Sequence, residues 1–197
     1  MKSLLTLTLV VLMAGSAFAQ LDNSMGLFFS ADEFTEENTN LDTIGAPFDV
    51  HVVLLEATVF SVGGYEVGVS LSDASVFVLD VGGPNGWTNF GDNTNHLVGF
   101  QTPVPSDGGS ALLCTLNMLY SGDATVDMFM GPSDPSSVDG AGPAIADGAN
   151  PDLLYVCNYT SGPDFDGLVA TLNGDGIEFP GGVATENQSW SNVKALF

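Results

Sequence analysis

In 197 residues the chain carries 24 aspartates and glutamates against two lysines and no arginine, a formal net charge of −22. A surface of that sign repels phosphate backbones and anionic headgroups, which excludes nucleic-acid binding and membrane-surface binding as functions. Ion pairs within the chain are nearly ruled out as well, so carboxylate repulsion has to be relieved by salt, bound cations or spacing.

Lys2, the apolar run over residues 4–13 and the small-x-small triplet Ala17-Phe18-Ala19 stand in the order of a cleavable secretory signal peptide. The run is shorter than the ~20 helical residues a bilayer demands, and no later stretch is apolar enough for a transmembrane helix. No cysteine follows Ala19, which argues against lipid anchoring. The expected organisation is a signal peptide over 1–19, one domain over 20–180 and a polar tail over 181–197. Once Lys2 leaves with the signal, Lys194 is the single basic side chain.

Strand signals then recur from residue 25 to 179, separated by clusters of Gly, Pro, Asn, Asp and Ser, and no long stretch carries a 3.6-residue apolar period. Strands are expected over 25–30, 48–55, 65–71, 76–81, 96–101, 111–120, 124–130, 153–159 and 168–172. Over 65–71 the alternation is clean: Tyr65, Val67, Val69 and Leu71 share one face, Glu66, Gly68 and Ser70 the other. The segments 48–55, 76–81 and 111–120 are apolar on both parities, as central strands are. Residues 131–151 form one long interruption with no expected strand, the kind of loop that is usually functional or mobile. This spacing predicts an all-β fold, a single antiparallel β-sandwich of jelly-roll or immunoglobulin-like topology.

Cys114 falls on one parity with Leu112, Leu116, Met118 and Tyr120, and Cys157 on one with Leu153, Tyr155 and Tyr159. Two core-facing cysteines in an exported chain predict a disulfide, which would contribute about 4 kcal/mol in a chain-entropy model. Two separate buried thiols are the alternative.

The strand order resembles a cohesin-type or related carbohydrate-binding-module sandwich. The residues that carry the resemblance are MGLFFS, APFDVHVVLLE, VGGYEVGVSLSDASVFVLDV, NHLVGFQT and GGSALLCTLNMLYSGDATVDMFM, covering about residues 25–132. The tail, with Trp190, Lys194, Leu196 and Phe197, is similar to that of secreted proteins of environmental bacteria which pair such a sandwich with this ending. The resemblance implies an extracellular, non-catalytic module and a sorting or docking role for the tail. It departs from the cohesin pattern after Gly131, and no dockerin repeat is present.

Signatures of serine hydrolases, zinc proteases and P-loop enzymes are absent from the sequence. His51 and His96 are the two histidines, and both are expected to pack at a strand surface or edge. Glu66, Asp164, Asp166, Asp175 and Glu178 could supply the acid and base of a glycoside hydrolase, but 24 acids make such pairs uninformative. Calcium is the better use of acids: SGPDFDG, with Asp164 and Asp166, and LNGDGIE, with Asn173, Asp175 and Glu178, could converge as oxygen ligands of a structural calcium. The competing reading is a set of solvated Asx turns. In the turn over 82–96, Trp87, Asn89, Phe90 and Asp92 are the candidate ligand-binding residues, since an aromatic face beside amides and acids suits a sugar ring. Against this, Trp87 could simply cap the end of the sandwich. The sequons at Asn158 and Asn187 matter only in a glycosylating host.

The function expected from these features is a secreted binding or surface-assembly module, with extracellular polysaccharide or a surface protein as partner. An extracellular glycoside hydrolase and a structural subunit of a surface layer or filament are the two alternatives.

Overall fold

A computed structural model describes residues 22–174, except 32, 33, 35, 42, 43, 85, 108 and 139–141. The segments expected as signal peptide and tail lie outside the described residues, as do Asp175 and Glu178.

Turn residues cut the described residues into thirteen strands. In order these are β1 (Ser24–Phe28), β2 (Asn38–Thr39), β3 (Pro47–Leu55), β4 (Ser61–Leu71), β5 (Val76–Gly82), β6 (Trp87–Asn89), β7 (Asn95–Pro105), β8 (Ala111–Tyr120), β9 (Val126–Gly131), β10 (Ala144–Asp147), β11 (Leu154–Val156), β12 (Asn158–Tyr159) and β13 (Leu168–Leu172). A single 3₁₀ turn, Pro163–Phe165, is the one helical element among the described residues. No helix there is long and apolar enough to cross a membrane.

Two sheets stack as a sandwich. One runs β12-β1-β3-β8-β5; the other runs β11-β10-β4-β9-β13-β2, with β7 also paired to β4 and β6 paired to β7. Pairing is antiparallel except at β1–β12 and β13–β2. The chain passes repeatedly between the sheets, which lets alternate residues of nearly every strand meet in one core. Met25, Leu27, Val52, Leu54, Leu116, Met118, Val67, Met128 and Leu172 are among its members.

Several expectations change against this frame. Residues 76–81 were expected as a central strand, but β5 closes the edge of the five-stranded sheet, leaving Phe77 51% and Leu79 49% exposed. A bulge at Val52/Val53 shifts the phase of β8, so Leu113 rather than Leu112 joins Cys114 inside. The stretch 153–159 is not one strand: it breaks at Cys157, with β11 in one sheet and β12 in the other. The interruption over 131–151 holds a strand after all, because Ile145 of β10 is buried opposite Tyr65 of β4.

Candidate functional site

The outer face of the larger sheet is where small residues leave room. Gly64 of β4 pairs with Gly99 of β7 on one side and Ala146 of β10 on the other, and Ala146 pairs in turn with Leu154 of β11. In the next row Glu66 pairs with Leu97 and Ala144, and Ala144 with Val156. Tyr65, Val98 and Ile145 alternate inward and hold these strands to the core. The result is a trough of about 280 Å³ with a floor of glycine and alanine. Its banks are Leu154, 45% exposed, and Phe90, 78% exposed. The two glycines differ: a Cβ at Gly64 would meet the Val98 carbonyl oxygen at 2.5 Å, whereas one at Gly99 would meet nothing within 4 Å. Gly64 is thus required by backbone packing, while nothing around Gly99 excludes a side chain.

One end of the trough is walled by the segment 132–138, which lies over the sheet as a strap. Glu66, expected on a solvated strand face, is 7% exposed beneath it. Its Oε1 accepts from the Ser137 amide at 3.0 Å and Oε2 from the same amide at 3.1 Å, while the single proton of the Ser136 hydroxyl is contested between Oε1 at 3.1 Å and the Val138 carbonyl at 2.8 Å. Asn95 fastens the other end: its Nδ2 donates to the Asp134 carbonyl at 2.7 Å and its Oδ1 accepts from the Asp134 amide at 2.9 Å. Sequence reasoning missed the strap because serines and an amide in a Pro/Gly-rich stretch carry no period. The Gly63-Gly64 pair inside a strand pattern was the available signal.

The predicted ligand-binding turn divides by role. Trp87 is half-buried and packs against the core, opposite Phe100 across β6–β7. Asn89 spends its side chain locally, accepting from the Gly91 and Leu97 amides at 3.0 Å each and donating to the Asp92 carbonyl at 2.8 Å. Asp92 Oδ1 accepts from the Thr94 and Asn95 amides at 2.7 Å each and from the Thr94 hydroxyl at 3.0 Å. Those bonds hold its carboxyl below the usual range. Phe90 alone of the four presents an open face, and it does so to the trough.

Of the predicted calcium ligands, Asp166 and Asn173 stand at opposite ends of β13. The five residues of that strand, roughly 16 Å, lie between them. Asn173 Oδ1 is engaged by the Leu41 amide at 2.8 Å. Asp164 falls within the 3₁₀ turn Pro163–Phe165 that Asp166 closes, and Asp175 and Glu178 lie outside the described residues. Among the described residues no group of three or more His, Cys, Asp or Glu side chains is placed to hold a metal ion.

The expected disulfide is corrected: Cys114 and Cys157 are both free thiols. Cys157 adjoins β12, and β1 and β3 intervene before β8, which puts about three strand spacings, ~14 Å, between the two chains. A disulfide spans Cα atoms no more than about 7 Å apart. Burial pushes each thiol up to about 12.

The histidine expectation is also revised. His96 is not at a surface but fully buried between the sheets, where Nδ1 lies 3.1 Å from the Tyr65 hydroxyl and 3.7 Å from Cys114 Sγ. His51 lies on the outer face of the smaller sheet with Nδ1 2.9 Å from the Thr115 hydroxyl.

No protein-family model matches the chain, and no curated protein matches it. Among solved structures it is similar to a cohesin module from a Clostridium perfringens family 33 glycoside hydrolase, at 7% identity and TM-score 0.48, covering 68% of this chain and 90% of that one. It is similar also to the sixth cohesin of Acetivibrio cellulolyticus scaffoldin B, solved in complex with a Cel5 dockerin, at 10% identity and TM-score 0.49, covering 78% and 99%. A non-cellulosomal cohesin from Archaeoglobus fulgidus is a third such likeness, at 13% identity and TM-score 0.41, covering 66% and 81%.

Proposed function

We propose that this chain is a secreted, non-catalytic binding module that docks a partner protein on the outer face of its larger sheet. The observation that carries the reading is the open trough between Phe90 and Leu154, floored by Gly64, Gly99 and Ala146. Large apolar side chains left exposed around a small-residue floor fit a partner's apolar side chain. The described residues contain neither lysine nor arginine, so a partner segment of basic character is the complement. Secretion rests on the signal-like residues 1–19. A polysaccharide partner is less well supported, because Asn89 and Asp92 spend their polar atoms inside the turn.

Gly99→Leu tests this reading, since the floor has space for the side chain. Wild-type protein should capture a partner from the native host's extracellular fraction and bind that purified partner in calorimetry, while Gly99→Leu should do neither at unchanged melting temperature. Equal binding by both forms would overturn the assignment of the trough, and a partner that proves to be glycan would overturn its class.

A further inference from the structure

Buried carboxylates in proteins are ordinarily paired with a cation or a metal, because leaving water without either costs several kcal/mol. Glu66 is a departure from that rule: it is 7% exposed, and the strap supplies only a backbone amide and a serine hydroxyl whose one proton also faces the Val138 carbonyl at 2.8 Å. No lysine or arginine exists among the described residues to take their place. Its three contacts, at 3.0–3.1 Å, are long for bonds to a carboxylate. The same carboxylate lines the trough, with Ser137 beside it.

We infer that Glu66 is a masked recognition site: the strap over 132–138 is a displaceable cover, and a partner's arginine takes the carboxylate in exchange for Ser136 and Ser137. A guanidinium presents two parallel N–H groups to the two carboxylate oxygens, and such charge-assisted bonds are roughly twice as strong as neutral ones. The exchange therefore favours arginine over the strap's own donors. The Asn95–Asp134 pair holds the strap to the sheet two residues before Ser136, so the movement is confined to the part that covers Glu66. This inference rests on the trough being a docking surface, and it adds that the partner places an arginine next to the apolar side chain that fills the trough.

The test uses the full chain, amide-resolved NMR and the probe peptide acetyl-Leu-Gly-Arg-amide, with the neutral arginine isostere citrulline in a matched control. Without peptide, Glu66→Gln and Ser136→Ala should each speed hydrogen exchange of the Ser137 amide about tenfold while amides of β8 stay protected, as expected for loss of one or two hydrogen bonds. With peptide, the arginine form should shift the amides of Ser137 and Gly99 together and bind about tenfold tighter than the citrulline form, a preference lost in Glu66→Gln. Unchanged Ser137 exchange in both variants would overturn the masking by Glu66. Equal affinity for the two peptides in wild type would overturn the arginine site. Faster strap exchange with no shift of Gly99 by either peptide would instead remove the docking surface, and the partner with it.

Discussion

The Tyr65 hydroxyl donates to His96 Nδ1 at 3.1 Å in the middle of the sandwich, and this contact fixes how a fully buried histidine is tolerated. His96 Nε2 lies 3.1 Å from the Asn93 carbonyl, which can only accept, so the ring proton sits on Nε2 and Nδ1 is left as the acceptor. Tyr65 and His96 belong to the larger sheet and Cys114 to the smaller one, so the cluster also ties the two layers. Tyr65→Phe leaves Nδ1 with the weak thiol donor alone. We expect a loss of about 1–3 kcal/mol in urea unfolding, the range for orphaning a buried acceptor. A loss below 0.3 kcal/mol, well under that ~1 kcal/mol floor, would show that the hydroxyl contact contributes nothing.

Burial lowers the affinity of both histidines for protons. Desolvation is the larger cause for each, opposed at His96 by the Asn93 carbonyl and Asp92 and at His51 by Asp49. The native state thus favours neutral rings, whereas the unfolded chain takes up protons below about pH 6.5. Their contribution is fully present above that pH and is lost as pH falls from there toward the lower folded values. The melting temperature should fall between pH 7 and pH 5.5, a window in which most carboxylates keep their charge. His51→Asn should keep the larger part of the slope, because His96 is the more deeply buried. A flat profile in wild type would contradict the argument.

Both cysteines, free and pushed up to about 12, should be inert in the native protein. A thiol reagent at pH 8 should label none of them until denaturant is added and then both, and the melting temperature should be the same with and without reductant. A reductant-dependent drop of several degrees would restore the disulfide.

How far the sequence reached can be judged from individual strands. The clean alternation of Tyr65, Val67 and Val69 gave β4 its true inward face, and the apolar runs at 111–120 and 168–172 gave β8 and β13 their bounds. Two sheets could be read because nearly every strand has an apolar parity. Neighbourhood could not: β5 is as apolar as β8, and its edge position follows from pairing alone. His96 has the parity of Val98 and Phe100, a signal of burial that its polar ring obscured. The trough is made by what is absent at Gly64 and Gly99, and Glu66 is buried by a strap 70 residues further on. Neither a missing side chain nor a distant cover leaves a period in the sequence.

The turn before β7 offers the sharpest separation between a sugar-binding loop and a structural one. Asp92 accepts three hydrogen bonds that shape the turn, and Trp87 packs on the core, whereas Phe90 is 78% exposed and buries little. Asp92→Ala should cost about 1–2 kcal/mol, comparable to losing a helix or turn cap. Trp87→Ala should cost about 2–4 kcal/mol, less than a fully buried tryptophan because its ring is partly exposed. Phe90→Ser should leave unfolding unchanged within about 0.5 kcal/mol yet weaken capture of the partner, because the side chain forms one bank of the trough and supports nothing beneath it. Denaturant unfolding of the three variants together with binding of the captured partner checks all of this. If Phe90→Ser destabilised the fold while Trp87→Ala did not, the roles assigned to the two aromatics would be reversed, and the open face at this end of the sheet would belong to Trp87.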